Sequence, residues 1–285
     1  MLRALAPLLL ASFLSATVAS AQPTSATSAF WVHGPRGPRT YLRSPGGHGR
    51  WLRGVHVFIQ GALIEVRVET VEVQAVCCQL RPCREPLPPL SLRRLVALRG
   101  DRREVLLDVA HEGAQSATDE LLVHASLGPF LIVERRAYGY YGGAHGTGGR
   151  SIFWIDLRDA SRVSVGAEGL PIDLAAAEAA LRERYRAALE ASGTDPSEWM
   201  RDADVVVVQG VVPRFLNGAW RSDVHLQLGV PYGWTDGLTS YAIESTVQVL
   251  ALPGLASTYA HVPDSVRAFL RRRRDISLGG VSGSR

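Results

Sequence analysis

The residue best suited to chemistry in this sequence is His145, which lies in a glycine-rich turn, Gly142-Gly143-Ala144-His145-Gly146. A histidine can bind a metal ion or transfer a proton near neutral pH. Metal binding needs further ligands, and Asp156, Asp159 and His225 are candidates by residue type alone, because their spacing matches no diagnostic metal motif. The alternative is a structural histidine that hydrogen-bonds the carbonyl groups of its own turn. We therefore assign no metal ligand and expect no cofactor.

The sequence lacks the motifs that mark the common classes of enzyme. It contains no His-Glu-x-x-His, no Gly-x-Ser-x-Gly and no phosphate-binding loop ending in Gly-Lys, since it has no lysine. The glycine-rich turn joins two predicted strands, so it offers no helix N-terminus to a phosphate group. We assign no catalytic residue and expect a protein without enzymatic activity. A metal-dependent hydrolase centred on His145 is the alternative.

Aromatic residues flank the same turn on both sides. Tyrosine and tryptophan are frequent in binding hot spots, but aromatic side chains equally fill protein cores. Adjacent residues of a strand face opposite sides, so neighbouring tyrosines cannot share one environment. With both interpretations open, the aromatic cluster is Tyr138, Tyr140, Tyr141, Phe153 and Trp154, and the candidate binding residues are Tyr140, Tyr141, Gly142, Gly143, His145 and Trp154.

The first 21 residues predict a cleaved signal peptide. Arg3 precedes an apolar run, and Ala19-Ser20-Ala21 precedes Gln22 as at a signal-peptidase site. The apolar run is shorter than the about 20 residues that a spanning helix needs. No later stretch is long and apolar enough to span a bilayer. We expect a periplasmic or secreted protein with no integral membrane segment after cleavage.

Three cysteines, Cys77, Cys78 and Cys83, lie close together in the sequence. In an oxidising compartment a local disulfide is expected, with Cys83 joined either to Cys77 or to Cys78. A zinc site is the alternative, but neither a Cys-x-x-Cys spacing nor a nearby histidine supports it. The pairing stays open.

Positive charge is concentrated near the C-terminus. The formal net charge of the chain is +4, and Arg271 to Arg274 alone supply four positive charges. The rest of the chain is close to neutral and shows no basic stripe with interleaved aromatic residues, so we expect no nucleic-acid binding. Such an arginine run is typical of a solvated helix end, and binding to an anionic polymer or a membrane surface is the alternative.

Hydrophobic periodicity predicts several β-strands. Runs at 121–127 and 130–136 predict a hairpin across Gly128-Pro129, and the chain returns after the glycine-rich turn as a strand at 151–157. Further strands follow in the C-terminal half, where Asn217-Gly218 predicts a type I′ hairpin turn because both residues accept positive φ.

Two helices interrupt this pattern. Residues 171–191 carry apolar side chains at helical spacing, with Asp173 as the expected N-cap and Gly193 as the expected stop. A short helix follows at 264–274. The predicted fold class is α+β: an antiparallel sheet of meanders and hairpins, with one main helix packed on it and a short C-terminal helix.

The glycine-rich turn also carries a family resemblance. Tyr141-Gly142-Gly143-Ala144-His145-Gly146, followed by Phe153-Trp154-Ile155-Asp156-Leu157, resembles the extracytoplasmic domain of RsiV-type, lysozyme-responsive anti-sigma factors, a domain that also accompanies some peptidoglycan deacetylases. The match covers residues 121–192 and fades toward residue 252. It departs from the family at Asp159-Ala160-Ser161, where a glycine-containing turn is usual.

The resemblance implies an exported, non-catalytic α+β module that binds a lysozyme-like hydrolase or a peptidoglycan component of the bacterial cell envelope. A purely structural envelope protein is a further alternative. The predicted organisation is a signal peptide (1–21), a flexible, partly packed lead-in (22–54), a β-rich region (55–110), an RsiV-like α+β domain (111–270) and a basic flexible tail (271–285).

Overall fold

The computed structural model of the chain describes residues 28–43, 48–77, 86–142, 146–201, 203, 205–230 and 242–283. Within these ranges the chain is mostly β-strand. The strands are β1 (Ser28–His33), β2 (Arg39–Arg43), β3 (Gly49–Arg53), β4 (Val55–Ile59), β5 (Ala62–Val73), β6 (Leu90–Arg99), β7 (Arg102–Leu107), β8 (Ser116–Leu127), β9 (Phe130–Tyr140), β10 (Thr147–Asp156), β11 (Ser161–Val163), β12 (Val206–Leu216), β13 (Ala219–Gly229), β14 (Ala242–Val249) and β15 (Ser277–Gly283). The helices are α1 (Leu174–Ala191), α2 (Pro196–Trp199), α3 (Gly254–Ser257) and α4 (Asp264–Arg272).

Strands β4 to β7 form an antiparallel sheet of their own. Val57, Ile64 and Leu95 are fully buried on the side of this sheet that faces the rest of the chain. They belong to one cluster with Leu131 and Ile155 of the larger sheet. The small sheet therefore shares a core with the larger one, because its apolar face is buried against that sheet.

The larger sheet contains the β8–β9–β10 meander. β8 and β9 pair around the Gly128-Pro129 turn, as the sequence predicts, and β9 pairs with β10. All three strands extend beyond the predicted ranges toward Tyr140. The extra residues carry polar side chains on an exposed face, so hydrophobic periodicity does not mark them.

Helix α1 lies where the sequence places it. The Asp173 side chain accepts a hydrogen bond from the Ala176 backbone N–H at 2.9 Å, and Gly193 follows the helix with φ 74°. Leu181, Tyr185 and Leu189 are buried in one cluster with apolar residues of β12 to β14. The amphipathic face that predicted the helix is the face that packs.

The C-terminal strands β12 to β14 are joined to the main sheet at β15. The β12–β13 turn has Asn217 at φ 53° and Gly218 at φ 82°, which confirms the predicted hairpin. Val212 of β12 packs in one cluster with Trp154 of β10. This packing brings the β12–β14 part of the sheet against the β8–β10 meander.

The segments near both ends of the described chain contain more strand than the sequence predicts. In the lead-in, predicted to be flexible and partly packed, residues 28–43 and 48–53 contain β1 to β3, and the packed part includes Trp31, which is only 1% exposed. The expected flexible tail is wrong for residues 277–283, which form β15 between β1 and β8. Gly279 and Gly280 have no side chains, so this strand can lie close to Trp31 and Ser126. The same glycine-rich composition is typical of flexible tails, so the sequence does not indicate a strand here.

The architecture is broadly α+β, with sheets that are mainly antiparallel. The expected single antiparallel sheet is corrected in two respects: the described residues form two sheets, and β8 and β15 form a parallel pair. Among the described residues, no helix combines the length and apolar character needed to cross a membrane.

Candidate functional site

A shallow cavity of about 310 Å³ lies toward the end of the β9–β10 hairpin, lined by Thr118, Asp119 and Glu120 of β8, Arg136, Ala137 and Tyr138 of β9, and Gly149 of β10. Tyr138, which is 37% exposed, lies at this end, with Arg136 preceding it on the same face of β9. β8 contributes Thr118 and Glu120, which pair with Tyr138 and Arg136 respectively. We call this feature the Tyr138 cavity. It combines an aromatic ring, a hydroxyl group and both signs of charge on adjacent strands.

Glycines let the Tyr138 ring lie close to the backbone of β10. A methyl group at Gly146 would overlap the Tyr138 hydroxyl group. A methyl group at Gly148 would lie 2.5 Å from the Ala137 carbonyl oxygen, whereas one at Gly149 would meet no atom within 4 Å. The glycine spacing that marks this turn in the sequence therefore has a steric reason.

The opposite face of the hairpin end carries a second tyrosine. Tyr141 is 44% exposed, and its hydroxyl group lies 3.0 Å from His111 Nδ1. The His111 ring lies over Gly139, where a methyl group would come within 2.5 Å of it. The hairpin end thus exposes tyrosines on both faces, in different chemical surroundings.

The other predicted binding residues have mixed outcomes. Trp154 takes the core position that the sequence left open for this cluster: it is 1% exposed, and its Nε1 donates to the Val211 carbonyl oxygen at 2.8 Å inside the core. Tyr140 is half-buried, and Gly142 has φ 86°. Gly143 and His145 lie outside the described residues.

A buried ionic network centred on Glu134 lies next to Arg136 on the same face of β9. Glu134 is fully buried, and its carboxylate accepts hydrogen bonds from Arg136 Nε at 2.5 Å and from Arg150 at 2.8 Å. His124 Nε2 lies 2.6 Å from the same carboxylate. His124 reaches it from a bulge in β8, and Arg150 comes from β10. Strand pairing therefore brings four polar side chains from three strands together.

Electrostatics keep this network charged. Burial by itself raises the pKa of Glu134, but the hydrogen bonds from His124, Arg150 and Arg136 outweigh it and hold the pKa well below its usual range. A buried carboxylate is tolerated only when such partners compensate its desolvation. The hydrogen bond to Glu134 fixes Arg136 at Nε, while 54% of the Arg136 side chain stays exposed at the cavity.

His225 of β13 is also buried near this network. Burial and, to a lesser extent, the charge of Arg150 lower the pKa of His225 to about 4. Its Nδ1 lies 2.9 Å from Thr246 Oγ1, and its Nε2 has no hydrogen-bond partner within the described part of the chain. His225 is therefore neutral at physiological pH.

The candidate metal ligands are occupied in separate local interactions. Asp156 pairs with Arg158, and Asp159 accepts a hydrogen bond from the Ser161 backbone N–H at 3.0 Å. His225 contacts Thr246, as described above. Across the described ranges, no three His, Cys, Asp or Glu side chains form a group that could hold a metal ion.

The ionic network is not among the features predicted from the sequence. One signal was present: Glu134 directly follows the apolar run Phe130-Leu131-Ile132-Val133, where a charged residue needs a partner if the strand continues inward. Its partners Arg136, Arg150 and His124 could not be found, because only the strand register and the β8 bulge bring them near.

The fold does not test the predicted disulfide between Cys83 and either Cys77 or Cys78. Cys77 is the last described residue of its segment, and Cys78 and Cys83 lie outside the described residues. The local disulfide stays a prediction.

Comparisons with known proteins give little further information. No family model matches the chain. No curated protein matches it either. Among solved structures, a DUF3298 family protein from Pseudomonas aeruginosa PAO1 is similar at 16% sequence identity and a TM-score of 0.30, covering 70% of this chain and 95% of that one. A likeness this weak supports no conclusion about fold or function.

Proposed function

We propose that this chain is an exported binding protein of the bacterial cell envelope, and that it recognises a peptidoglycan component at the Tyr138 cavity. The observation that carries the proposal is the composition of that cavity: an exposed tyrosine ring beside Arg136, Glu120 and Thr118. Small-ligand sites typically pair apolar or aromatic surface with a few fixed polar groups.

The cavity chemistry suits a sugar that carries an acidic substituent. The apolar face of a sugar ring can stack on Tyr138, and its hydroxyl groups can exchange hydrogen bonds with Glu120 and Thr118. Arg136 can bind a carboxylate, such as those of muramic acid and of the peptide stem, through its guanidinium group. Peptidoglycan fragments carry both features on one molecule.

The ionic network next to Arg136 favours binding by limiting the conformational freedom of the Arg136 side chain. The bond between Arg136 Nε and buried Glu134 fixes the guanidinium group before a ligand arrives. Preorganised side chains lose less conformational entropy on binding.

The proposed export depends on the predicted signal peptide, residues 1–21, which lies outside the described residues. We expect the protein recovered from the periplasm or medium of an expressing bacterium to begin at Gln22. Intact mass measurement checks this, and a mass that retains residues 1–21 would contradict cleavage.

The function is tested by calorimetric titration of the purified protein with a disaccharide-peptide fragment of peptidoglycan and, separately, with a c-type lysozyme. We expect saturable binding of the fragment that weakens about tenfold or more in Tyr138→Ala, since stacked aromatic residues dominate such sites. Tyr141→Ala is the matched control, because it removes an exposed tyrosine from the opposite face.

Three outcomes would replace the proposal. Binding of lysozyme alone, weakened by Tyr141→Ala, would indicate recognition of a protein. Stoichiometric zinc that is lost in His145→Ala would favour the metal-dependent hydrolase. Equal effects of the two tyrosine variants on fragment binding would show that the Tyr138 cavity is not the site.

A further inference from the structure

A second feature, on other elements, is a groove of about 790 Å³ between the β12–β13 turn, α4 and the start of β15. Its rim carries Arg267, Arg271, Arg273 and Arg274, and its lining includes Phe215 and Leu278. We call it the arginine groove. Its volume lies within the range of ordinary small-molecule sites.

The charge of the groove is poorly compensated. None of the described residues that line it is acidic, and Asp275 lies 3.8 Å from Arg273, at the limit of an ion pair. Arg271 and Arg274 make no hydrogen bond or ion pair with any residue that the structure describes, and both are exposed. These two guanidinium groups are available to an external anion.

Arg267 differs from the other arginines because its head group is already engaged. It donates to the carbonyl oxygens of Val262 at 3.0 Å and of Gly218 at 2.7 Å. Its guanidinium carbon lies 5.7 Å from the centre of the Phe215 ring. Arg267 therefore ties α4 to the β12–β13 turn and fixes the width of the groove.

The floor of the groove is apolar. Phe215 and Leu278 are buried members of one cluster, and Leu270 and Ile276 pack against it while remaining partly exposed. An apolar floor beneath an arginine rim complements a molecule that has a hydrocarbon part and an anionic part. A solvated helix end has no need of such a floor.

The helix dipole does not account for the whole arrangement. It stabilises cations in the last turn of a helix and so explains Arg271 and Arg272. Arg273 is the C-cap residue of α4, so the dipole also favours its charge, whereas Arg274 lies beyond the cap and still lines the groove.

We propose that the arginine groove binds an anionic amphiphile, with a phosphate or carboxylate head group held by Arg271 and Arg274 and a hydrocarbon chain lying against Phe215 and Leu278. Guanidinium groups bind such oxyanions with paired, charge-assisted hydrogen bonds. The concentration of the chain's net positive charge in this region favours the approach of an anion. The site is separate from the Tyr138 cavity and does not depend on the function proposed above.

The probe for the test is octyl phosphate, used below its critical micelle concentration and titrated into the purified protein by calorimetry. We expect saturable binding that is about tenfold weaker in Arg274→Gln, because one charged hydrogen-bonding partner is lost. Arg272→Gln is the matched control: it removes the same charge from the same chain segment, but Arg272 does not line the groove. Circular dichroism verifies that both variants fold.

Two further arms identify the ligand source. Inorganic phosphate should bind far more weakly than octyl phosphate, because it cannot use the apolar floor. Binding to vesicles with an anionic phospholipid that weakens in Arg274→Gln would identify a lipid head group as the source. Binding of octyl phosphate without vesicle binding would identify a soluble amphiphile. The proposal would be overturned if octyl phosphate did not bind, or if Arg272→Gln weakened its binding as much as Arg274→Gln. It would also be overturned if inorganic phosphate bound as tightly as octyl phosphate.

Discussion

At the residue scale, the buried polar side chains near the Tyr138 cavity are its least expected feature. Glu134 is charged and fully buried, and it is compensated by cationic side chains from β9 and β10. His225, in contrast, is buried and neutral, because its pKa is lowered to about 4 from 6.5. The two groups therefore respond to acid in different pH ranges.

His225 gives a defined pH dependence of stability. Between pH 6.5 and pH 4, the unfolded chain protonates this histidine and the folded chain does not, so acid favours unfolding. The free energy of unfolding therefore decreases as the pH falls through this window, by about 3 kcal/mol at most from this one group. We expect His225→Gln to remove that part of the dependence, as measured by urea unfolding at several pH values.

The control for this experiment is His261→Gln, which replaces an exposed histidine. It should leave the pH dependence of the wild-type protein unchanged. An unchanged slope in His225→Gln would show that His225 is not buried and neutral in the folded state.

At the element scale, the β9–β10 hairpin depends on adjacent glycines with different functions. Gly148 lies against the Ala137 carbonyl and the Tyr138 backbone, whereas Gly149 faces open space. The sequence gives no reason to distinguish these two glycines. Strand pairing does, because only Gly148 lacks space for a side chain.

The two glycines of β10 can be compared directly by substitution. We expect Gly148→Ala to lower the free energy of unfolding by about 1–3 kcal/mol, since its methyl group has no room between the paired strands. Gly149→Ala should be neutral or stabilising by up to about 1 kcal/mol, because alanine loses less backbone entropy on folding. Chemical denaturation of both variants measures the difference, and equal values would contradict the strand register described here.

At the scale of the whole molecule, β15 joins parts of the chain that are distant in sequence. It pairs with β1 on one side and with β8 on the other, and Phe215 of β12 pairs with Leu278. Trp31 Nε1 donates to Ser126 Oγ at 2.7 Å next to Gly280. The first and last described strands thus lie side by side in the middle of the large sheet.

A substitution at Gly280 tests the position of β15 between β8 and β1. A methyl group at Gly280 would overlap Ser126 and lie 2.6 Å from Trp31 Nε1. We expect Gly280→Ala to destabilise the protein by about 3 kcal/mol, because strand separation or loss of the tryptophan hydrogen bond must follow. Thermal and urea unfolding measure this loss. Gly254→Ala is the control, since a methyl group there meets no atom within 4 Å, and a similar loss in both variants would contradict a central position for β15.

The sequence by itself determined the features whose causes are local. The Gly128-Pro129 and Asn217-Gly218 turns, the Asp173 cap and the apolar face of α1 each depend on residues a few positions apart, so spacing and residue type predict them. For the candidate site, composition indicated only the neighbouring turn, since none of the predicted binding residues lines the Tyr138 cavity. Of the aromatic cluster, Tyr138 and Tyr141 are exposed, whereas Trp154 is buried.

Only the tertiary structure decided the features that depend on residues far apart in the chain. The burial of Trp154 depends on a backbone carbonyl of β12, and the ionic network depends on a bulge in β8 and on the β9–β10 register. The glycine-rich C-terminal segment became a central strand because β1 and β8 leave a space that only small residues fit. Long-range pairing fixes these contacts, and no local pattern in the sequence encodes which distant strand will be the partner.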